Sequence, residues 1–116
     1  MKLLIIDDDR AILESLELVL ELDHEVTTAA SAVEGLRVAE AGSFDAILLD
    51  LMMPGIDGLE VKRRLDAGGV KTPVLILSAR NNVEEAAKSA GAAGFLVKPF
   101  RVEALEKLLA QLPTAA

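Results

Sequence analysis

Three apolar runs stand out along the chain: KLLIID at 2–7, DAILLD at 45–50 and TPVLILS at 72–78. Each has the length of a strand and an interior without charge, the pattern of strands buried on both faces. HEVTTAA at 24–30 and AGFLV at 93–97 are weaker runs, and with them five strands are predicted. Between the runs the period changes to that of helices. Across 10–22, Ile12, Leu16 and Val19 share one face with Leu13 and Leu20 beside it, while Glu14, Glu17 and Glu21 turn outward. Ser31 with Glu34 has the spacing of a capping box at the start of a second helix, and Asp57 with Glu60 resembles one at the start of a third. A short fourth helix is expected over 81–90. The fifth, over 100–112, would turn Val102, Leu105, Leu109 and Leu112 inward before Pro113 stops it.

Strand and helix alternate with short connections, which implies parallel strands joined by right-handed crossovers and covered by helices on both faces. The expected fold is therefore α/β, a doubly wound (βα)5 sandwich around a five-stranded parallel sheet. In such sheets the functional crevice lies beyond the carboxyl ends of the strands. Those ends carry chemistry: Asp7, Asp8 and Asp9 after the first strand, Asp50 after the third, Ser78 after the fourth, and Lys98 followed by Pro99 after the fifth. If the first and third strands are neighbours, Asp7, Asp8 and Asp50 crowd together. Two carboxylates about 5 Å apart repel by roughly 3 kcal/mol at an effective dielectric near 20, so something must offset the charge. A few carboxylate oxygens with room for water and a phosphate describe a Mg²⁺ site better than a Ca²⁺ cage or a zinc site. His24 falls at the start of a strand, on the opposite rim, where surface packing is expected of it.

Bulk properties narrow the reading. At 116 residues with 52% hydrophobic and 27% charged content, one packed domain over 1–116 is expected, with 112–116 a possible truncated linker. No apolar run approaches the roughly 18 residues of a membrane span, and no export signal is recognisable. Zero cysteines exclude disulfides, thiolate metal sites and thiol catalysis, and fit a reducing compartment, so the cytoplasm is the expected location. A net charge of −7 opposes direct contact with nucleic acid or an anionic membrane and favours cations or a basic protein surface.

Together, the acid pair at 7 and 8, LDLMMPGIDG at 49–58, SAR at 78–80 and GFLVKPF at 94–100 resemble the receiver domain of bacterial two-component response regulators, essentially end to end. The resemblance implies a flavodoxin-like strand order 2-1-3-4-5. It implies that Asp50 accepts a phosphoryl group from a phosphohistidine of a sensor histidine kinase or phosphotransfer protein. Asp8 and Asp50 would bind Mg²⁺ directly, with the backbone carbonyl of Met52, and Asp7 through water. Lys98 would add positive charge at the phosphoryl group, and Ser78 would move to it as a hydrogen-bond donor. Phe95 would then rotate inward and repack the surface of helix four, strand five and helix five for a downstream output domain or protein; Pro99 would follow a cis peptide.

The chemistry suits these residue types without the analogy, because phosphoryl transfer is catalysed chiefly by positioning and electrostatics. Each also has a plainer use. Asp9 is best read as the cap of the first helix and Asp57 as that of the third; Asp45, Asp66 and the glutamates read as surface charge. Helix four is shorter than usual in the family by about two residues, leaving little more than two turns. Ala93 and Gly94 stand where charged residues often precede the switch aromatic, which leaves the oligomeric state open. Met52 and Arg80 flank the expected phosphoryl site without offering a group to orient water, so slow self-dephosphorylation is expected. Two other classes compete with a phosphoacceptor switch. A haloacid-dehalogenase-like phosphatase would use Asp7 and Asp9 with a Ser and a Lys, but needs a later acidic pair where only Glu103 and Glu106 occur, inside a helix. A scaffold receiver working without phosphorylation would not need the intact acids, hydroxyl and lysine.

Overall fold

The computed structural model describes residues 1–79 and 83–112. Its elements follow one another as β1 (Lys2–Ile6), α1 (Arg10–Leu20), β2 (Glu25–Ala29), α2 (Ala32–Ala41), β3 (Ala46–Asp50), α3 (Gly58–Ala67), β4 (Val74–Ser78), α4 (Val83–Ala90), β5 (Gly94–Val97) and α5 (Val102–Gln111). The strands form one parallel sheet in the order β2-β1-β3-β4-β5, the doubly wound arrangement expected.

The unbroken apolar runs follow from this topology. Successive side chains of a strand point to opposite faces, and in the three central strands both faces are covered. Leu4, Ile6, Ile47, Leu49 and Ile76 pack against α2, α3 and α4, whereas Leu3, Ile5, Leu48, Leu75 and Leu77 pack against α1 and α5. At β4, Pro73 has no N–H for the ladder, so the strand begins at Val74, two residues into the run at 72–78; the Pro73 carbonyl still accepts from Ile47 at 2.9 Å.

Helix α1 differs in its buried face. Leu13, Leu16 and Leu20 form the buried seam, Ile12 packs at its edge, and Val19 is 43% exposed rather than inward. Its apolar stripe is wider than the face the sheet covers, and packing onto Leu3 and Ile5 selects which part is used. The helix ends at Leu20, two residues earlier than its period suggests.

Caps sit where the sequence puts them. Asp9 Oδ1 accepts from the backbone N–H groups of Ala11 and Ile12 at 3.0 and 3.3 Å, and Ser31 Oγ from that of Glu34 at 3.2 Å. Asp57 caps α3 by accepting from Leu59 N–H at 2.8 Å, but Glu60 turns instead to Arg63 and Arg64. In α5, Leu105 and Leu109 are buried and Val102 and Leu112 pack beside them. Residues 81 and 82 of the predicted fourth helix lie outside the described residues, as do Arg80 and 113–116. The Lys98–Pro99 peptide is cis.

Three polar residues expected at the surface make specific contacts, and of these Asp66 stays exposed. The His24 side chain is 9% exposed, with Nε2 at 2.9 Å from Glu106 Oε1 on α5. Asp45 Oδ2 accepts from Lys2 N–H at 2.7 Å, and Asp66 accepts from the buried Lys62 ammonium at 2.7 Å.

Candidate functional site

The register of the sheet brings the strand ends to one rim. Ile6 lies opposite Leu49, Asp50 opposite Leu77 and Ser78 opposite Val97, so Asp7, Asp50, Ser78 and Lys98 end adjacent strands at nearly the same level. Backbone bonds set the flanks: Asp7 N–H donates to Ala29 C=O at 3.1 Å and Lys98 N–H to Ser78 C=O at 2.8 Å. Beyond β1 the chain turns at once into α1. There Asp9 N–H donates to Asp7 Oδ1 at 3.0 Å, while the Asp9 carboxylate is committed to its cap. That turn leaves Asp7 1% exposed and Asp8 exposed at the mouth of the site.

One oxygen from each of Asp7, Asp8 and Asp50 can be chosen so that all lie within 4.8 Å of one another. Asp50 is 5% exposed, and its Oδ1 accepts from Met52 N–H at 3.3 Å. Lys98 Nζ lies 2.7 Å from Asp7 Oδ2 and 3.6 Å from Asp50 Oδ1. Burial, and then the neighbouring Asp7 carboxylate, push the Asp50 pKa up to about 6, against the opposing pull of Lys98 and the Met52 N–H. Lys98 therefore offsets part of the acidic repulsion that the sequence assigned to a cation alone. Ser78 is completely buried at the end of β4. Phe95, paired with Ile76, is half-buried against the core beneath α2, α3 and α4. The loop after β3 forms a groove of about 560 Å³ lined by Asp8, Met52, Met53 and Asp57, with Met52 58% exposed.

A residue that carries no chemistry positions this loop. A Cβ on Gly58 would stand 2.5 Å from the Asp50 carbonyl oxygen and 2.6 Å from Leu51 Cα, and Gly58 N–H donates to Leu51 C=O at 2.9 Å. The first turn of α3 thus rests directly on the backbone of the residue that bears the central carboxylate. The signal was a glycine immediately after a capping aspartate, a poor helix former at a helix start.

Residues 3–110 match the response regulator receiver domain family. The chain belongs to that family. Among curated relatives, the response regulator MprA of Mycobacterium avium (strain 104) is 45% identical over 115 residues, 97% of this chain and 49% of that protein. The receiver domain thus spans about half the length of the curated relatives it matches. The response regulator TrrA of Thermotoga maritima, solved in complex with Mg²⁺ and BeF, is 30% identical with a TM-score of 0.87, the match covering 97% of this chain and 98% of that one. The receiver domain of a sensor histidine kinase from Pseudomonas aeruginosa PAO1, solved with a magnesium ion in its active site cleft, is also 30% identical, with a TM-score of 0.85 over 95% of this chain and 94% of that one. In this receiver domain the phosphatase alternative loses its residues: Asp9 is held in a helix cap and Glu106 is paired with His24.

Proposed function

We propose that this receiver domain takes a phosphoryl group on Asp50 from the phosphohistidine of a sensor histidine kinase or phosphotransfer protein, and relays the change through α4, β5 and α5 to a downstream output domain or protein. The observation that carries this is the convergence of the Asp7, Asp8 and Asp50 oxygens within 4.8 Å, beside Lys98 Nζ. An all-oxygen carboxylate set at a partly open rim fits Mg²⁺. Asp8 and Asp50, with the Met52 carbonyl, would hold the ion directly. Asp7 would act through water, since its Oδ1 and Oδ2 already accept from Asp9 N–H and Lys98. When bound, the ion supplies charge that favours the Asp50 carboxylate and neutralises phosphoryl oxygens.

The remaining work falls to the protein's own side chains. An Asp50 oxygen attacks phosphorus as the bond from phosphorus to the donor histidine nitrogen breaks, leaving the electron pair on that imidazole. Lys98 leaves its position between the two carboxylates to pair with a phosphoryl oxygen, and Ser78 donates its hydroxyl to another. Movement of Ser78 along β4 opens space for Phe95 on the neighbouring strand, and α4 and α5 feel the repacking. The domain assists its own phosphorylation and dephosphorylation but turns over no external substrate. Its proposed setting is the cytoplasm, a reducing compartment that the cysteine-free sequence fits. Among the described residues, no helix is long and apolar enough to cross a membrane. The net charge of −7 directs any nucleic-acid contact to another domain.

Incubation with radiolabelled acetyl phosphate tests this reading. Stoichiometric label that requires Mg²⁺ and disappears in Asp50→Asn is expected. Absence of label would favour a scaffold, and release of many equivalents of phosphate would favour a phosphatase.

A further inference from the structure

Two adjacent methionines lie in opposite environments beside the acidic rim. Met52 is 58% exposed in the groove it shares with Asp8 and Asp57, whereas Met53 is 9% exposed and belongs to the core beneath the sheet. Met52 is also tied to the site through its backbone, because its N–H donates to Asp50 Oδ1 at 3.3 Å. A thioether is soft and a weak acceptor, so the Met52 sulfur contributes little to a pocket of hard oxygen donors. Its sulfoxide differs in both respects: it is polar, chiral and carries a hard oxygen.

We propose that Met52 is a peroxide-sensitive modification site that tunes the acidic pocket from its rim. In the modifying step a sulfur lone pair attacks one oxygen of hydrogen peroxide. The S–O bond forms as the O–O bond breaks, sulfur loses two electrons, and the departing hydroxide takes the remaining proton and leaves as water. A methionine sulfoxide reductase reverses the change. Exposure selects Met52 over Met53, which lines the same groove but is only 9% exposed. The new oxygen enters the groove lined by Asp8 and adds a donor beside the carboxylates. It also gives an attacking water a strong hydrogen-bond acceptor where the thioether offered only a weak one. Oxidation is therefore expected to raise Mg²⁺ affinity and shorten the life of the Asp50 phosphoryl group. The second effect rests on the phosphoacceptor reading; the first does not.

The test treats the protein and its Met52→Leu variant with hydrogen peroxide and follows each methionine by peptide mass. Calorimetric Mg²⁺ titrations and decay of the acetyl-phosphate label are then compared before and after treatment. Met52 should oxidise about tenfold faster than Met53. Oxidised protein should bind Mg²⁺ severalfold more tightly and lose label severalfold faster, and Met52→Leu, which keeps Met1 and Met53, should show neither change. Equal oxidation of Met52 and Met53, an unchanged Mg²⁺ titration, or the same shift in Met52→Leu would each overturn the proposal. If unoxidised protein takes no label, the phosphoacceptor reading fails, while the oxidation rates and Mg²⁺ titrations still decide the role of Met52.

Discussion

The Lys98 ammonium stands between two buried carboxylates, 2.7 Å from Asp7 Oδ2 and 3.6 Å from Asp50 Oδ1, so one cation from the end of β5 serves acids from β1 and β3. Like charges brought together by the sheet are thus partly compensated before any ion binds. Removing that ammonium leaves two buried acids facing each other. Lys98→Met is expected to destabilise the metal-free protein by about 2–3 kcal/mol, below the usual cost of breaking a buried pair because Lys98 keeps some contact with water. Added Mg²⁺ should recover much of the loss. Urea midpoints with chelator and with Mg²⁺ measure both quantities; an undiminished midpoint in chelator would remove Lys98 from its role as counter-ion.

Asp50 gives the pH dependence its sign. Its pKa is raised from 3.8 to about 6, so between those values the folded state binds more protons than the unfolded state. Stability attributable to Asp50 therefore falls as pH rises through that window, by roughly 3 kcal/mol at most. Asp50→Asn removes the term. In chelator, the variant should gain on the wild type steadily from pH 4 to pH 7 and hold a constant advantage above it. Denaturant midpoints at unit pH steps check this; parallel profiles for the two proteins would mean that Asp50 carries no such penalty.

Mg²⁺ should oppose the same repulsion. A ligand bound only by the folded state at a hundredfold its Kd adds about 2.7 kcal/mol, which for a domain of this size raises Tm by several degrees. The rise should be much reduced in Asp8→Asn, whose side chain lies at the mouth and is otherwise exposed. Thermal unfolding followed by circular dichroism across a Mg²⁺ titration provides the measurement, with Na⁺ at equal ionic strength as control.

How far the sequence led depended on the range of each interaction. The strands rest on local patterns and their order on the family resemblance, so KLLII, AILLD and VLILS were legible as doubly covered strands, and the rule that the carboxyl ends of parallel strands share one edge placed Asp7, Asp8, Asp50, Ser78 and Lys98 on one rim. The caps at Asp9, Ser31 and Asp57 are set within three residues and were equally legible. Contacts between distant segments were not. Nothing local joins His24 to Glu106, 82 residues apart, and the counter-ion role of Lys98 needs Asp7 and Lys98 brought together across the sheet. Even within α1, the choice of Leu13 and Leu20 over Ile12 and Val19 belongs to the packing partner rather than to the period.

The contact of His24 with Glu106 yields a prediction that separates fold from function. It ties the start of β2 to α5 at the rim opposite the acids, with the imidazole almost fully buried. His24→Ala should cost about 1–2 kcal/mol in lost hydrogen bonding and packing, while Mg²⁺-dependent labelling of Asp50 stays intact. Lost labelling in a folded His24→Ala protein would show that the two rims are coupled.

Gly58 tests how closely the backbone supports the chemistry. A methyl group there would meet the Asp50 carbonyl oxygen at 2.5 Å and Leu51 Cα at 2.6 Å, distances that backbone atoms cannot absorb without moving. The helix start must back away or the end of β3 must shift, and either moves Met52 relative to the acids. Gly58→Ala is therefore expected to lower stability by about 1–3 kcal/mol, the usual cost of overpacking, despite alanine's better helix propensity. Because the displaced segment includes Met52, whose N–H donates to Asp50, the Mg²⁺-induced rise in Tm should shrink as well. A purely structural defect would lower Tm with and without Mg²⁺ by equal amounts. Gly55, at φ +86 in the same loop, separates strain from crowding: a Cβ there meets nothing within 4 Å. Gly55→Ala should thus cost stability through its backbone conformation while leaving the contact between the start of α3 and the end of β3 undisturbed.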